Sequence, residues 1–429
     1  MTIQIDFQPK QMTKYHKMQT TTEIEAFLAT LPDGLEAKLT KDVGRGMKLY
    51  HYEKPTNPTR EGVEMSLQQL RGVVVDTKTD HVIARSFPFT PEYVVDGTQQ
   101  YPFSFENARF FNSYEGTIIR VFWYTTDEEQ DLGRWCVSTH KKIDAYKSNW
   151  GSTRSFGQEF QGVVETCVQK PMQQYFDETL IRGQTHVFLL RTNPYNFIVS
   201  DPPQSPFDYI YQLGSFRADQ YLPPISQSRN HTSTPVGDTL GVTPVVEDQT
   251  VPIFTPFTFN TPEELTFSNA TEFEEYVKGL NTNVQGVFVV ENTPEKSTHF
   301  YKYVNAAYHR CAELRGNEPN LLFRYIELYC SDSVKAARLK ELYPMYRGMY
   351  QFVNSQMPVL AKFIYIMYVR RFIRKQHAIV PKVIYPFQMQ LQAHYRAEHD
   401  PITLEFVTQK LRTTDPRWIA KMIHANLVY

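Results

Sequence analysis

The chain has 429 residues, enough for two or three separately folded domains, and its 45 Lys plus Arg are set against 46 Asp plus Glu. That balance excludes the global basic field of a dedicated nucleic-acid coat, so any binding of a polyanion has to be local. The four cysteines, Cys136, Cys167, Cys311 and Cys330, lack CxxC spacing and the density of a disulfide framework, which excludes the usual zinc site and points to a reducing, cytoplasmic setting.

The opening MTIQIDFQPKQ has no apolar leader core, and the longest apolar stretch, 359–369, is interrupted by Lys362 and too short for a bilayer, so no membrane is expected. From about Leu67 to Val199 the chain reads as short runs rich in Val, Ile, Phe and Tyr: RGVVVD (71–76), HVIARSF (81–87), GTIIRVFWY (116–124), RWCVSTH (134–140) and HVFLLR (186–191). These predict a mostly antiparallel sheet system. One helix, 157–173, interrupts it, with Phe160, Val163, Val164 and Val168 at helical spacing.

Between 200 and 262 the composition turns to Pro, Ser, Thr and Gln, which predicts a long excursion holding one strand, DYIYQLGSF (208–216). A helix is predicted from Thr271, where T-E-F-E offers a capping box, followed by the strands GVFVVE (286–291) and HFYKYV (299–304). From about Pro319 apolar residues recur at three and four, as in Leu322, Tyr325, Ile326 and Tyr329, and a helix over 357–376 ends in the basic turn RRFIRK. The expected class is α+β: an antiparallel-sheet domain over 1–317, then an all-α domain over 318–429.

Several of these segments carry a family likeness. QLRGVVVD (69–76) and HVIARSFPF (81–89) are similar to a C-R-G-hydrophobic strand and an A-R-P-F-P-K turn, and the tail 363–411, beginning FIYIMYVRRFIRKQ, looks like a helical carboxy-terminal domain. The chain thus resembles the RNA ligases of the bacteriophage tRNA-repair type and their relatives in large DNA viruses, which implies a nucleotidyltransferase-like fold for the sheet domain. Those enzymes attack the ATP α-phosphate with a lysine amine, and the chemistry needs metal-binding carboxylates and phosphate-holding cations besides.

Carried over residue by residue, the resemblance implies a degenerate site. FFNSYEGTIIRVF (110–122) places Ser113 at the nucleophilic lysine of K-E-D-G-S, Glu115 at its aspartate and Gly116 at its glycine. VSTHKKI (137–143) places His140 at a phosphate-binding lysine, with Lys141 one residue on, and FLLRTN (188–193) places Leu189 at the ribose-binding glutamate. Gln285 stands at the metal-binding glutamate of E-G-hydrophobic. Lys302-Tyr303-Val304-Asn305 keeps one lysine of K-hydrophobic-K-S, with Val304 and Asn305 closing the motif, and Phe89 ends the turn that should end in lysine.

A serine hydroxyl cannot form the lysyl phosphoramidate, and a neutral amide is a poor ligand for a hard divalent cation. Arg71, Lys141 and Lys302 remain as phosphate-binding remnants. The pattern predicts no cofactor, no metal site and no catalysis, with Phe89, Leu189 and Val304 packed together in the vacated pocket. Three readings stand open. One is an inactive ligase-like component whose partners are proteins, in a viral particle or its expression machinery; one is non-catalytic RNA binding through Arg370, Arg371, Arg374 and Lys375; the last is a divergent active ligase using Lys141, Lys142 or another lysine. No HExxH, Walker loop or GxSxG offers another chemistry.

Overall fold

The computed structural model describes residues 18–31, 39–52, 66–95, 97, 100–125, 133–192, 199, 203–218, 220–224, 258–292 and 298–427. The opening MTIQIDFQPKQ and most of the Pro-rich excursion, 225–257, lie outside these described residues. The chain divides into two compact units, the first holding most of residues 1–305 and the second, apart from two short segments, 306–429.

The first unit opens on α1 (Thr21–Ala29), where Thr20 and Glu23 form a reciprocal capping box. Four antiparallel strands follow, β1 (Leu39–Gly44), β2 (Met47–Tyr52), β3 (Val73–Asp76) and β4 (Val82–Ala84), paired in that order. Next come β5 (Glu92–Val94), β6 (Ala108–Ser113), β7 (Thr117–Thr125) and β8 (Gly133–Ser138). The helix expected over 157–173 is two helices, α2 (Phe156–Val168) and α3 (Met172–Thr179). Gln169 adopts the left-handed conformation at φ 55° and Pro171 follows it, so the chain turns where a single apolar period reads straight through.

After β9 (Gln184–Leu190), β10 (Ile210–Arg217), β11 (Gln220–Leu222) and the short β12 (Glu264–Leu265) comes α4 (Ala270–Gly279). Its cap is Asn269, whose side chain accepts from the amide of Glu272, and not the expected Thr271. β13 (Gly286–Asn292) and β14 (Thr298–Val304) complete the unit.

Strands β11-β10-β9-β7-β8 form one five-stranded antiparallel sheet, and β12-β6-β13-β14-β5 form another, antiparallel except for the β14–β5 pair. The period-2 alternation of the strands then builds layers. Ile119, Val121, Phe188 and Leu190 turn to α2 and α3, packing on Phe160, Val164 and Phe176. From the opposite face, Val187, Phe216 and Tyr221 meet Phe111, Val290 and Phe300 of the other sheet around Phe87, whose ring lies 5.2–5.4 Å from those of Phe216, Tyr221, Phe288 and Phe300. That second sheet is covered on its far side by Phe273 and Val277 of α4.

The β1–β4 sheet packs one face on Ile24 and Leu28 of α1 and the other on Phe122, Tyr124 and Cys136. Along this contact the fully buried Arg120 guanidinium donates to the carbonyls of Gly72 and Thr139, joining the end of β3 to the end of β8. Burial pushes its pKa down to about 9, which leaves it charged at neutral pH and reliant on those two acceptors.

The second unit is helical: α5 (Ala306–Arg315), α6 (Leu321–Ser331), α7 (Ser333–Leu342), α8 (Arg347–Tyr368), α9 (Tyr385–Glu398), α10 (Leu404–Arg412) and α11 (Pro416–Leu427). The helical run opens at Ala306 and not at 318, because AAYHRCAELR is too polar to show an apolar period. α8 begins ten residues before the expected 357 and carries Pro358 inside it, on the exposed face, before passing into a π-turn over Val369–Ile373. One core, built on Tyr325, Leu339, Val353, Leu360, Ile364, Phe387 and Ile419, holds the helices together.

The fold implies a test of the Arg120 tie. Arg120→Lys keeps a charge and loses the planar fork that reaches both carbonyls, and is expected to lower the stability of the first unit by about 2–4 kcal/mol. Urea unfolding of the full chain, followed by tryptophan fluorescence, measures it, since all tryptophans but Trp418 lie in the first unit.

Candidate functional site

Three segments far apart in sequence meet where β6, β13 and β14 end. Gly286 pairs with Ser113 on one side and Val304 on the other. The amide of Gln285 donates to the Ser113 carbonyl at 2.8 Å, the amide of Asn305 donates to the Gln285 carbonyl at 2.9 Å, and the Ser113 hydroxyl donates to the Gln285 side-chain oxygen at 3.3 Å. Asn305 in turn donates from its side chain to the carbonyls of Val277 (2.8 Å) and Leu280 (3.2 Å), closing the last turn of α4. Only glycine fits at 286, because a Cβ there would overlap the Tyr303 carbonyl oxygen.

Immediately after Ser113 the side chains of Tyr114 and Tyr211 stack at 5.0 Å, and the buried Arg191 guanidinium lies 4.8 and 5.6 Å from the two ring centres. Arg191 also donates from Nε to the carbonyl of Glu115 at 3.0 Å. Burial, then the neighbouring Tyr211 and Glu263, pushes the Tyr114 hydroxyl up to about 12, so it stays protonated. Glu115 is buried, and Gly116 has no room for a side chain: a Cβ would stand 2.7 Å from the Leu190 carbonyl and 2.9 Å from the Leu189 side chain.

The third group lies at the β3–β8 contact. His140 shares a 3.0 Å hydrogen bond with the Ser86 hydroxyl and stacks on His51 at 6.1 Å. Its pKa is driven well below the ordinary histidine value, first by burial and then by the charges of Arg71 and Arg120 and by His51, so the ring is neutral. Arg71, its own pKa lowered by burial against the pull of Glu92, lies over the Phe89 ring at 5.5 Å.

Ser113, Gln285, Val304 and Asn305 are thus assembled at one corner, and Glu115, Gly116 and Leu189 in a neighbourhood with Tyr114 and Arg191. The expected packing of Phe89, Leu189 and Val304 into one pocket is not found. Phe89 stacks edge-on to Tyr52 at 5.9 Å in the α1 cluster, Leu189 is set against Gly116, and Val304 lies between β13 and β5. The substitution pattern that suggested one hole spans three separate contacts.

Lys302 is tied to Glu92 at 2.7 Å, and Lys142 faces Asp42 at 3.4 Å. Lys141 is exposed on the turn after Thr139. In the helical unit Arg370, Arg374 and Lys375 are exposed, whereas Arg371 lies over Tyr385 at 4.8 Å. Among the described residues no three His, Cys, Asp or Glu side chains are grouped to hold a metal ion. A recess of about 390 Å³ lined by Arg45, Arg134, Cys136, Asp144 and Tyr146 contains none of the motif positions.

Sequence reasoning missed Arg191 and Arg120. Both carried a signal: Arg191 shares the face of Leu189 two residues on, and Arg120 is a lone charge inside an apolar strand, which a buried strand tolerates only with a partner.

The chain is therefore an α+β protein with layered antiparallel sheets and a helical unit after them. No protein-family model matches it. The "Immediate-early protein ICP-46 homolog" of Invertebrate iridescent virus 3 is 24% identical over 336 residues, covering 76% of this chain and 65% of that protein. The protein of the same name from Invertebrate iridescent virus 6 is 23% identical over 311 residues, covering 69% and 59%. The chain spans less than two thirds of the length of these relatives. Among solved structures, "Putative ATP-dependent DNA ligase from Aquifex aeolicus" superposes with a TM-score of 0.37 at 11% identity, covering 88% of this chain and 80% of that one, too loosely to transfer any residue. Among the described residues no helix is long and apolar enough to cross a membrane.

The buried histidines carry a pH prediction. The folded-state pKa of His140 lies below its unfolded value of about 6.5, so between the two the unfolded chain binds the extra proton. Stability is complete above about pH 6.5 and falls as the pH drops below it. The thermal midpoint is expected to fall between pH 7.5 and 5.5, and His140→Gln, which keeps a hydrogen-bonding group near Ser86, is expected to flatten that slope. His186, whose pKa burial also lowers, leaves a remainder.

Proposed function

We propose that this chain is an RNA-ligase-like protein of a large DNA virus that has lost nucleotidyl transfer and acts as an interaction component. The observation that carries this reading is the corner of Ser113, Gln285 and Asn305. These are the residues that the family resemblance aligns with the attacking lysine, the metal-binding glutamate and the serine that ends K-hydrophobic-K-S. The three lie together, and what they bring is a hydroxyl, an amide and a second amide.

With a hydroxyl at 113 there is no amine there to attack the α-phosphate, and with an amide at 285 the metal that would offset the developing charge loses a carboxylate ligand. The nearby cation, Arg191, is held by two tyrosine rings and a carbonyl, and Lys302 by Glu92. The spacing of strands and glycines around the corner is what a retained scaffold would keep after its chemistry was lost. Similarity to two iridescent-virus proteins supports the viral origin.

Incubation of the full chain with α-labelled ATP and Mg²⁺ or Mn²⁺, followed by intact mass measurement, tests the loss of chemistry. The mass is expected to stay unchanged. An added AMP mapped to any lysine overturns the proposal.

A further inference from the structure

α8 is apolar on two opposite sides. Its inner face, Tyr350, Val353, Met357, Leu360, Ile364 and Tyr368, is buried in the core of the helical unit. On the opposite side Phe352, Val359 and Ile366 are 39%, 50% and 38% exposed, and in line with them Met345, in the turn before α8, and Ile373, in the π-turn after it, are 74% and 56% exposed. Each is seven residues from the next. The positions three residues further along are Gly348, Ser355, Lys362 and Val369, small or basic at the first three, so the outer face has the a and d spacing of a coiled-coil seam with bulky residues at a and low ground at d. A straight helix needs about 20° of drift per heptad to keep such a seam in register, so a partner laid along it would wrap left-handed.

Charge says what that partner is. From Leu342 to Ala397 the chain contains no Asp or Glu and eight Lys or Arg. Lys362 lies on the seam, and Arg370, Arg374 and Lys375 crowd its C-terminal end, all exposed. A second copy of this face would set like charge against like, which costs affinity. Nucleic acid would satisfy the cations but leave Phe352, Val359, Ile366 and Ile373 in water, and the three aliphatic residues among them offer no ring for base stacking.

We propose that the outer face of α8 docks an acidic amphipathic helix of another protein, its apolar residues seated between Phe352, Val359, Ile366 and Ile373 and its Glu or Asp flanks facing Lys362 and the basic turn. This rests on the reading of the chain as an interaction component. It is independent of what happens at Ser113, so ATP labelling and helix docking can fail separately.

The test uses the full chain and a fluorescent synthetic helix of about four heptads with Leu at a and d and Glu at e and g, and its counterpart with Lys at e and g. Anisotropy is expected to show saturable, salt-sensitive binding of the Glu helix and none of the Lys helix. Val359→Glu with Ile366→Glu, both at exposed positions and checked for helicity by circular dichroism, is expected to weaken binding by at least about tenfold. Lys362→Glu is expected to weaken the Glu helix and improve the Lys helix.

Equal binding of the two helices, or Glu-helix binding untouched by the double variant, overturns the proposal. So does binding confined to phosphatidylserine vesicles or to single-stranded RNA, or self-association of the protein that the double variant abolishes.

Discussion

A single buried guanidinium sets the terms for the first unit. Arg120 has no exposure to water and holds the carbonyls of Gly72 and Thr139, so the ends of β3 and β8 can approach no other way without stranding a charge. Gly72 meets the demand with a positive φ of 76° and no side chain; a Cβ there would press on the Arg120 guanidinium at 3.0 Å and the His140 backbone at 3.2 Å. The neutral state of His140 follows, because a protonated ring would add a third cation beside the buried Arg120 and the partly buried Arg71.

The candidate site is a contrast between geometry and chemistry. Gly286 passes so close to Tyr303 that no other residue fits, Gly116 is pressed by Leu189 and Leu190, and the amides of Gln285 and Asn305 lock three strand ends together. These features position side chains with care. The side chains so positioned are neutral at Ser113, Gln285 and Asn305, and the charge beside them, Arg191, is engaged with aromatic faces. Strand pairing and glycine contacts stabilise this scaffold without reference to any substrate.

The helical unit has the opposite character. Its core is complete on the inner side of α8, and its outer side carries apolar side chains in water at regular spacing among uncompensated cations. Apolar groups scattered singly over a surface need no explanation, but Phe352, Val359 and Ile366, at intervals of seven on one helix, define a line.

Read alone, the sequence determined the strand-rich first part and the helical last part, because β-branched and aromatic runs and apolar spacing are local properties. It also marked the basic turn at 370–375, but it began that helix at 357, ten residues late. Only the tertiary structure decided that Phe89, Leu189 and Val304 lie in three different contacts, that Arg191 and Arg120 are buried, and that Asn269 and not Thr271 caps α4. Which cation meets which carbonyl, and whether an apolar residue faces the core or water, is fixed by the packing of elements distant in the chain, and no local pattern records that distance.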